Sequence, residues 1–323
     1  MNTHLSTQRS KRTQRGIALI LVLWVTVMLT VIAGSFAYGM RNEALAARNT
    51  ESTAQARALS DGAVYRTVYE LLRPKVSPEV WSANGSVHVW EDSGARIAAS
   101  ATDESGKIDL NTAPDNLLKG LLQTAGGLDA QSAAALVDAI GDWKDADDFR
   151  RPNGAEAPEY VAAGLKYTPA NAPFETLAEL QRVLGMTPAL YARVADSLTV
   201  YSRIAGVNPA YASRATLLAV PGATAEVVDA YLLQRRDALA ANLPLPPFPV
   251  PGAAAGAINL WRIRAEVTMS DGVSFVREAV IRPGDARRLL TILEWSEGNG
   301  SGPVLRSAAE EQHDASANGT PAK

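Results

Sequence analysis

Between Asp142 and Glu159 the chain reads DWKDADDFRRPNGAEAPE, which places Asp142, Asp145, Asp147, Asp148, Asn153, Glu156 and Glu159 within 18 residues. Four aspartates within seven positions repel one another unless a cation stands among them. Calcium takes six to eight oxygen ligands, and a loop so dense in carboxylates can supply them. The spacing is not that of an EF-hand. Counted from Asp145, the position that demands glycine holds Arg150, although the closing position holds Glu156. The other reading is a solvated acidic loop in which Arg150 and Arg151 serve as internal counter-charges.

Other chemistry finds little support. The histidines are His4, His88 and His313, the first and last in polar terminal segments, so one folded histidine remains for any triad or zinc site. There are no cysteines, which removes disulfides, thiolate metal sites and cysteine nucleophiles. No GxSxG, GxGxxG or phosphate-loop pattern occurs. Paired carboxylates could serve glycoside hydrolysis only beside a cleft, which no sequence pattern here marks. The chain is expected not to be an enzyme.

The elements that must hold the acidic loop read as follows. Strand patterns at 86–92 and 95–110 are joined by Ser93-Gly94, and LWRIRAEVTM and VSFVREAVIR flank Ser270-Asp271-Gly272, a strong hairpin signal. RRLLTILEWSE offers one more strand. About 150 residues separate the two sets, and a lone hairpin is marginal in water, so one sheet split by a large insertion is the better reading. Residues 109–256 read as helical. Pro114 opens one helix, Asp129 caps a second, Phe174–Leu184 forms a third ending at Gly185, and Thr187-Pro188 opens a fourth over Ala189–Leu198. Two more meet at Pro221-Gly222, and the proline-rich 242–256 returns to the sheet. The predicted fold is α+β: a long N-terminal helix packed on a small antiparallel sheet, with a large all-α domain inserted between the strands.

Within the insertion, LNTAPDNLLKGLLQTAGGLDAQSAAALVDAI and VNPAYASRATLLAVPGATAEVVDAYLLQR form a weak repeat that resembles the helix-hairpin-helix module. A membrane-anchored DNA-binding protein is therefore the alternative. It is opposed by the second turn, Pro221-Gly222-Ala223-Thr224, which lacks the second glycine of a Gly-x-Gly turn, and by 15 acidic against 8 basic residues over 103–200, a net −7 that would repel phosphates. No nucleic-acid partner is expected.

The N-terminus carries Arg9, Lys11, Arg12 and Arg15 without an acid. Ile17 to Met40 then runs 24 residues without a charge, about 36 Å as a helix, enough to cross a membrane. It is too long for a secretory h-region. The basic flank predicts the N-terminus in the cytoplasm and the bulk outside. Residues 41–73, rich in Ala, Arg, Glu and Leu, continue the helix, with an interruption at Asp61-Gly62. Arg15-Gly16 directly before the apolar run resembles a type IV prepilin leader, cut after Gly16 by a prepilin peptidase to leave a methylated Ile17. In that family the fifth mature residue is usually glutamate; here it is Leu21.

The absent glutamate, with DESGKIDLNTA at 103–113, DWKDADDFRRPNGAEAPEY, and PFETLAELQRVLGMTPALYARV at 173–194, resembles the minor pseudopilin K family of type II secretion systems. The resemblance implies a leader (1–16), a transmembrane helix (17–40), spine helix and first strands (41–108), an inserted helical domain (109–256), C-terminal strands (257–296) and a disordered tail (297–323). It implies a single-pass inner-membrane protein at the pseudopilus tip with minor pseudopilins I and J, alongside the major pseudopilin and the inner-membrane platform, initiating assembly and supporting export of folded periplasmic proteins. It also implies calcium in the helical domain, which makes Asp142, Asp145, Asp147, Asp148, Glu156 and Glu159 the candidate ligands.

Overall fold

The computed structural model describes residues 14–74, 81–241, 243–251, 258–284 and 287–298, with the side chains of 14–17 excepted. The leader up to residue 13 and the tail from 299 onward lie outside the described residues. Two compact units are present, residues 1–56 and 57–323.

The first unit is the greater part of helix α1 (Gln14–Leu72). α1 is long and apolar enough to cross a membrane, and its side chains from Leu19 to Ile32 lie exposed. Thr26 and Thr30 turn their hydroxyls back to the carbonyls of Val22 and Thr26, each at 2.8 Å, so neither leaves an unsatisfied donor on an apolar surface. The helix continues through Asp61-Gly62 without the expected interruption.

The second unit begins with the last turns of α1. Ala63, Val64, Thr67 and Val68 recur at helical spacing and are buried. Thr67 satisfies its hydroxyl on the Ala63 carbonyl. The sheet beside them has the order β1-β2-β5-β6-β7, with β1 Asn84–Asp92, β2 Ala95–Asp103, β5 Trp261–Met269, β6 Ser274–Pro283 and β7 Leu290–Glu297. All pairings are antiparallel. Ser93 and Gly94, both at positive φ, make the first hairpin, and Gly272 at φ 88° makes that of β5–β6. β2 pairs along its whole length with β5, from Ala95 opposite Met269 to Asp103 opposite Trp261. One sheet is thus completed by strands on either side of a long insertion. Arg277 of β6 donates to Asp61 of α1 at 2.6 Å, and its guanidinium lies over Phe275 and Trp295, tying helix to sheet.

β2 stops at Asp103 rather than Leu110, because the Asp103 carboxylate accepts the Ser105 N–H and caps a 3-10 turn, Glu104–Gly106. The insertion follows and is not purely helical. β3 (Ile108–Asp109) pairs in parallel with β4 (Leu198–Thr199). Between and after them stand α2 (Asp115–Thr124), α3 (Ala130–Lys144), α4 (Ala157–Ala162), α5 (Pro188–Val194), α6 (Arg214–Leu218) and α7 (Ala225–Ala240). The expected helix over Phe174–Leu184 is a 3-10 segment, Leu177–Arg182, opened by a Thr176/Glu179 capping box. A run that tightens to three residues per turn does not extend far.

The core of the insertion follows from helix periodicity. Leu117, Leu118, Leu121 and Leu122 of α2 face Ala133, Leu136, Val137 and Ile140 of α3. Asp129 caps α3 by accepting the Gln131 and Ser132 N–H groups at 2.9 Å. The two members of the weak repeat meet here. At Gly120 of α2, an added Cβ would stand 2.2 Å from the Ala219 carbonyl oxygen, a backbone atom that cannot yield. Gly120→Ala is therefore expected to destabilise the insertion by about 1–3 kcal/mol, read as a lowered thermal midpoint. An unchanged midpoint would mean the two hairpins do not pack through this glycine. The first hairpin's turn is also occupied from within. Gly126 is buried, its carbonyl accepts Arg193 of α5 at 2.7 Å, and the Gly126 and Gly127 N–H groups donate to the Leu121 and Gln123 carbonyls.

Candidate metal centre

The acidic loop is built on the end of α3. Its apolar stripe, Leu136, Ile140 and Trp143, points into the core, which carries the neighbouring Asp142 inside as well. Trp143 lies between Tyr160 and Phe174, with ring centroids at 6.1 and 6.2 Å, and Arg182 covers it. Lys144 leaves the helix by donating to the Leu110 carbonyl at 2.7 Å. The last turn of α3 is thus anchored on three sides before the acidic residues begin.

Asp142 is fully buried, and its carboxylate accepts the Arg151 N–H at 3.1 Å across a nine-residue loop. Gly154 closes over it: an added Cβ there would stand 2.0 Å from Asp142 Oδ2. Asp145 terminates α3 and has a buried Oδ1 without a hydrogen-bond partner. Glu156, at the start of α4, is 4% exposed, and its Oε1 also lacks a partner. Native interiors leave few such atoms, so two unpartnered carboxylate oxygens in one loop ask for a cation.

The remaining candidates are disposed differently. Asp147 is exposed and accepts the Phe149 N–H at 2.9 Å. Asp148 is exposed and accepts the side-chain amide of Asn171 at 2.9 Å. Glu159 spends one oxygen on the Glu156 N–H at 3.0 Å, completing a capping box, and the other lies 3.4 Å from Arg150. Glu159 therefore orients α4 and leaves Glu156 to face the loop. Among the described residues, no three His, Cys, Asp or Glu side chains already stand close enough together to hold a metal ion. The fit rests on the donor set: oxygen atoms alone, some buried and unpartnered, which is the chemistry a hard cation takes.

Electrostatics agree. Burial, and next the charges of Asp142, Asp145, Asp148 and Asp147, push the Glu156 carboxyl up to about 7. Burial also raises Asp142 and Asp145, with a like-charged neighbour adding to each. A loop that raises three of its own carboxyls is short of positive charge.

Three participants are not legible in the acidic run itself. Asp138 holds the loop tip through the Asn153 backbone and side-chain N–H groups at 3.1 and 3.0 Å. Asp115 of α2 accepts the Arg151 side chain at 3.1 Å. Asn171 adds an unpartnered buried Oδ1 beside Asp148. For Asn171, the only local signal is its left-handed backbone (φ 47°), a conformation asparagine tolerates better than most residues.

Comparison with known proteins gives a consistent result. A family model described as type II secretion system (T2SS), protein K, matches residues 98–203. The chain is 29% identical over 252 residues to the type II secretion system protein K of Klebsiella pneumoniae, covering 70% of this chain and 76% of that one. It is 27% identical over 249 residues to the protein K of Pseudomonas aeruginosa, covering 68% and 73%. Its fold is similar to a chain in the crystal structure of the GspK-GspI-GspJ complex from the enterotoxigenic Escherichia coli type 2 secretion system. That match has a TM-score of 0.54 and 16% identity, and covers 81% of this chain and 99% of that one.

Proposed function

The chain is a member of the type II secretion system protein K family, a minor pseudopilin, and from that premise we propose that it stands at the tip of the pseudopilus. The observation that carries this reading is the pairing of β2 with β5 across the insertion. A filament subunit repeats by presenting the same surfaces above and below. A domain longer than the sheet that bears it is hard to repeat in such a lattice and suits a terminal position.

Leu21 supports the same place. A carboxylate in lipid is costly unless it is paired. A topmost subunit has no protomer above it whose amine needs pairing, so an apolar residue costs it nothing. I-type and J-type minor pseudopilins are the proposed partners, since the structural relative comes from a GspK-GspI-GspJ complex. The N-terminus lies in the cytoplasm, α1 crosses the inner membrane, and the second unit works in the periplasm. There it helps initiate the pseudopilus that drives export of folded proteins.

Asp142, Asp145 and Glu156, with Asp147 or Asp148 at the open side, would hold calcium in the acidic loop. When bound, calcium supplies the positive charge that the crowded carboxylates lack. Asp142 and Gly154 join the two ends of the loop, and Glu159 fixes the start of α4. This scaffold determines which oxygens face inward.

Processing tests the reading directly. Protein purified from its own membranes is expected to begin at a methylated Ile17, as read by intact mass and N-terminal sequencing. Gly16→Ala is expected to leave the full 323-residue chain in the membrane. A wild-type chain that retains residues 1–16 in cells with an active prepilin peptidase would remove the pseudopilin reading.

A further inference from the structure

Arg151 stands in the acidic loop in a way its neighbours do not explain. Its Nε lies 3.8 Å from Asp142 Oδ1 and 3.8 Å from Asp145 Oδ2. Both distances exceed a hydrogen bond, so the guanidinium acts there as a nearby charge. Its one close side-chain contact points the other way, from Nη1 to Asp115 Oδ2 on α2 at 3.1 Å. Asp115 is largely exposed, whereas Asp142 is wholly buried.

Room for this arrangement is built into α3. Gly141 lies beneath the guanidinium, and an added Cβ would stand 2.3 Å from its Cζ. The backbone of Arg151 is fixed, because its N–H donates to Asp142. Only the flexible stem is free to move. One monovalent group therefore faces the buried Asp142 and the half-buried Asp145, held inward loosely and outward firmly.

We propose that Arg151 is a displaceable counter-cation: it partly neutralises Asp142 and Asp145 when no metal is present, and it moves fully onto Asp115 as a divalent ion takes those carboxylates. The inference rests on the calcium reading of the same loop. Divalent-ion affinity is then the outcome of an exchange. Removing the internal cation favours the metal, and removing its outer resting place disfavours it.

The test is calorimetric titration of the full-length, detergent-solubilised protein with calcium chloride, beside thermal unfolding in chelator. Arg151→Gln is expected to tighten calcium binding about tenfold, and Asp115→Asn to weaken it about threefold, as fits one unit charge moved within a few ångströms of the site. Gly141→Ala, which crowds the guanidinium out while keeping its charge on the chain, is expected to tighten binding as well. Wild-type affinity in both Arg151→Gln and Asp115→Asn would overturn the proposal, and so would weaker binding in a well-folded Arg151→Gln. Should Arg151→Gln fail to fold, Asp115→Asn decides: weaker binding supports the proposal and unchanged binding overturns it. A wild-type protein that neither takes up calcium nor gains stability at about 10 mM sinks the calcium reading and this inference together. Binding in wild type with no response in the variants sinks this inference alone.

Discussion

Glu104→Ala is expected to destabilise the second unit by about 3–5 kcal/mol, the usual consequence of removing one partner from a buried ion pair. For a unit of this size that is a fall of roughly 10 °C in thermal midpoint. Glu104 is fully buried at the point where the sheet gives way to the insertion. Its carboxylate accepts Arg262 Nε of β5 at 2.8 Å, lies 3.5 Å from Lys107 Nζ, and accepts the Thr199 hydroxyl of β4. Arg262 continues to Glu294 of β7 at 3.2 Å. One carboxylate thus joins segments from both sides of the insertion and both ends of its first half. Burial alone would raise the Glu104 carboxyl, but the Lys107 and Arg262 charges and the hydrogen bonds it accepts outweigh burial and hold it below the ordinary range.

The sign of the pH dependence follows. A carboxyl depressed in the folded state contributes stability that is present above its unfolded value and is lost as pH falls through the folded value. Glu104→Gln keeps the shape but removes the charge that Lys107 and Arg262 share, leaving Arg262 only Glu294, so it is expected to fall between wild type and alanine and to flatten the acid limb. Pairing Glu104→Gln with Arg262→Gln is expected to recover part of the loss, because the second change removes a half-buried charge that has lost one of its two carboxylate partners. Thermal unfolding at pH 7 and pH 4 measures all three. A Glu104→Ala midpoint within 2–3 °C of wild type would mean that the insertion is held on the sheet by apolar contacts alone.

What the sequence made legible divides by how local the physics is. The hairpin turns at Ser93-Gly94 and Asp271-Gly272, the Asp129 cap and the Thr187 cap are read within a few residues, and each is where it was expected. The split sheet was legible too, since two half-sheets of complementary alternation had no other partner. The end of β2 was not, because Asp103 has an extended pattern on one side and a side-chain cap on the other. The β3–β4 pair joins residues 90 positions apart through two-residue strands, too short for any periodicity. Arg262 and Glu104 are 158 positions apart, and either could have been a surface charge. In the loop, composition marked out the acidic residues but not which of them are buried and which are engaged by their neighbours. Glu159 serves helix geometry, while Asp115, Asp138 and Asn171 enter from neighbouring segments.

Calcium at saturating concentration is expected to raise the thermal midpoint at pH 7.5 by about 5–10 °C. Ligand at a hundredfold excess over its dissociation constant stabilises by about 2.7 kcal/mol, and 1 kcal/mol moves a unit of this size by roughly 2–4 °C. The metal-free protein should show the opposite of the Glu104 behaviour. Glu156, pushed up to about 7 by burial and by its aspartate neighbours, binds a proton in the folded state at pH values where the unfolded chain has released it. Its stabilising effect is complete below the unfolded value and disappears as pH rises through about 7, so in chelator the midpoint is expected to fall by roughly 2–6 °C between pH 5 and pH 8. Asp142→Asn separates a ligand role from a structural one. The amide keeps an oxygen for the Arg151 N–H but removes one of the crowded charges, so the variant is expected to be as stable as wild type or slightly more so in chelator at pH 8. It is expected to lose most of the calcium response, because the one wholly buried carboxylate of the loop is gone. A wild-type midpoint identical in calcium and in chelator, with the same pH slope in both, would leave the acidic loop as a solvated surface whose counter-charges are Arg150 and Arg151.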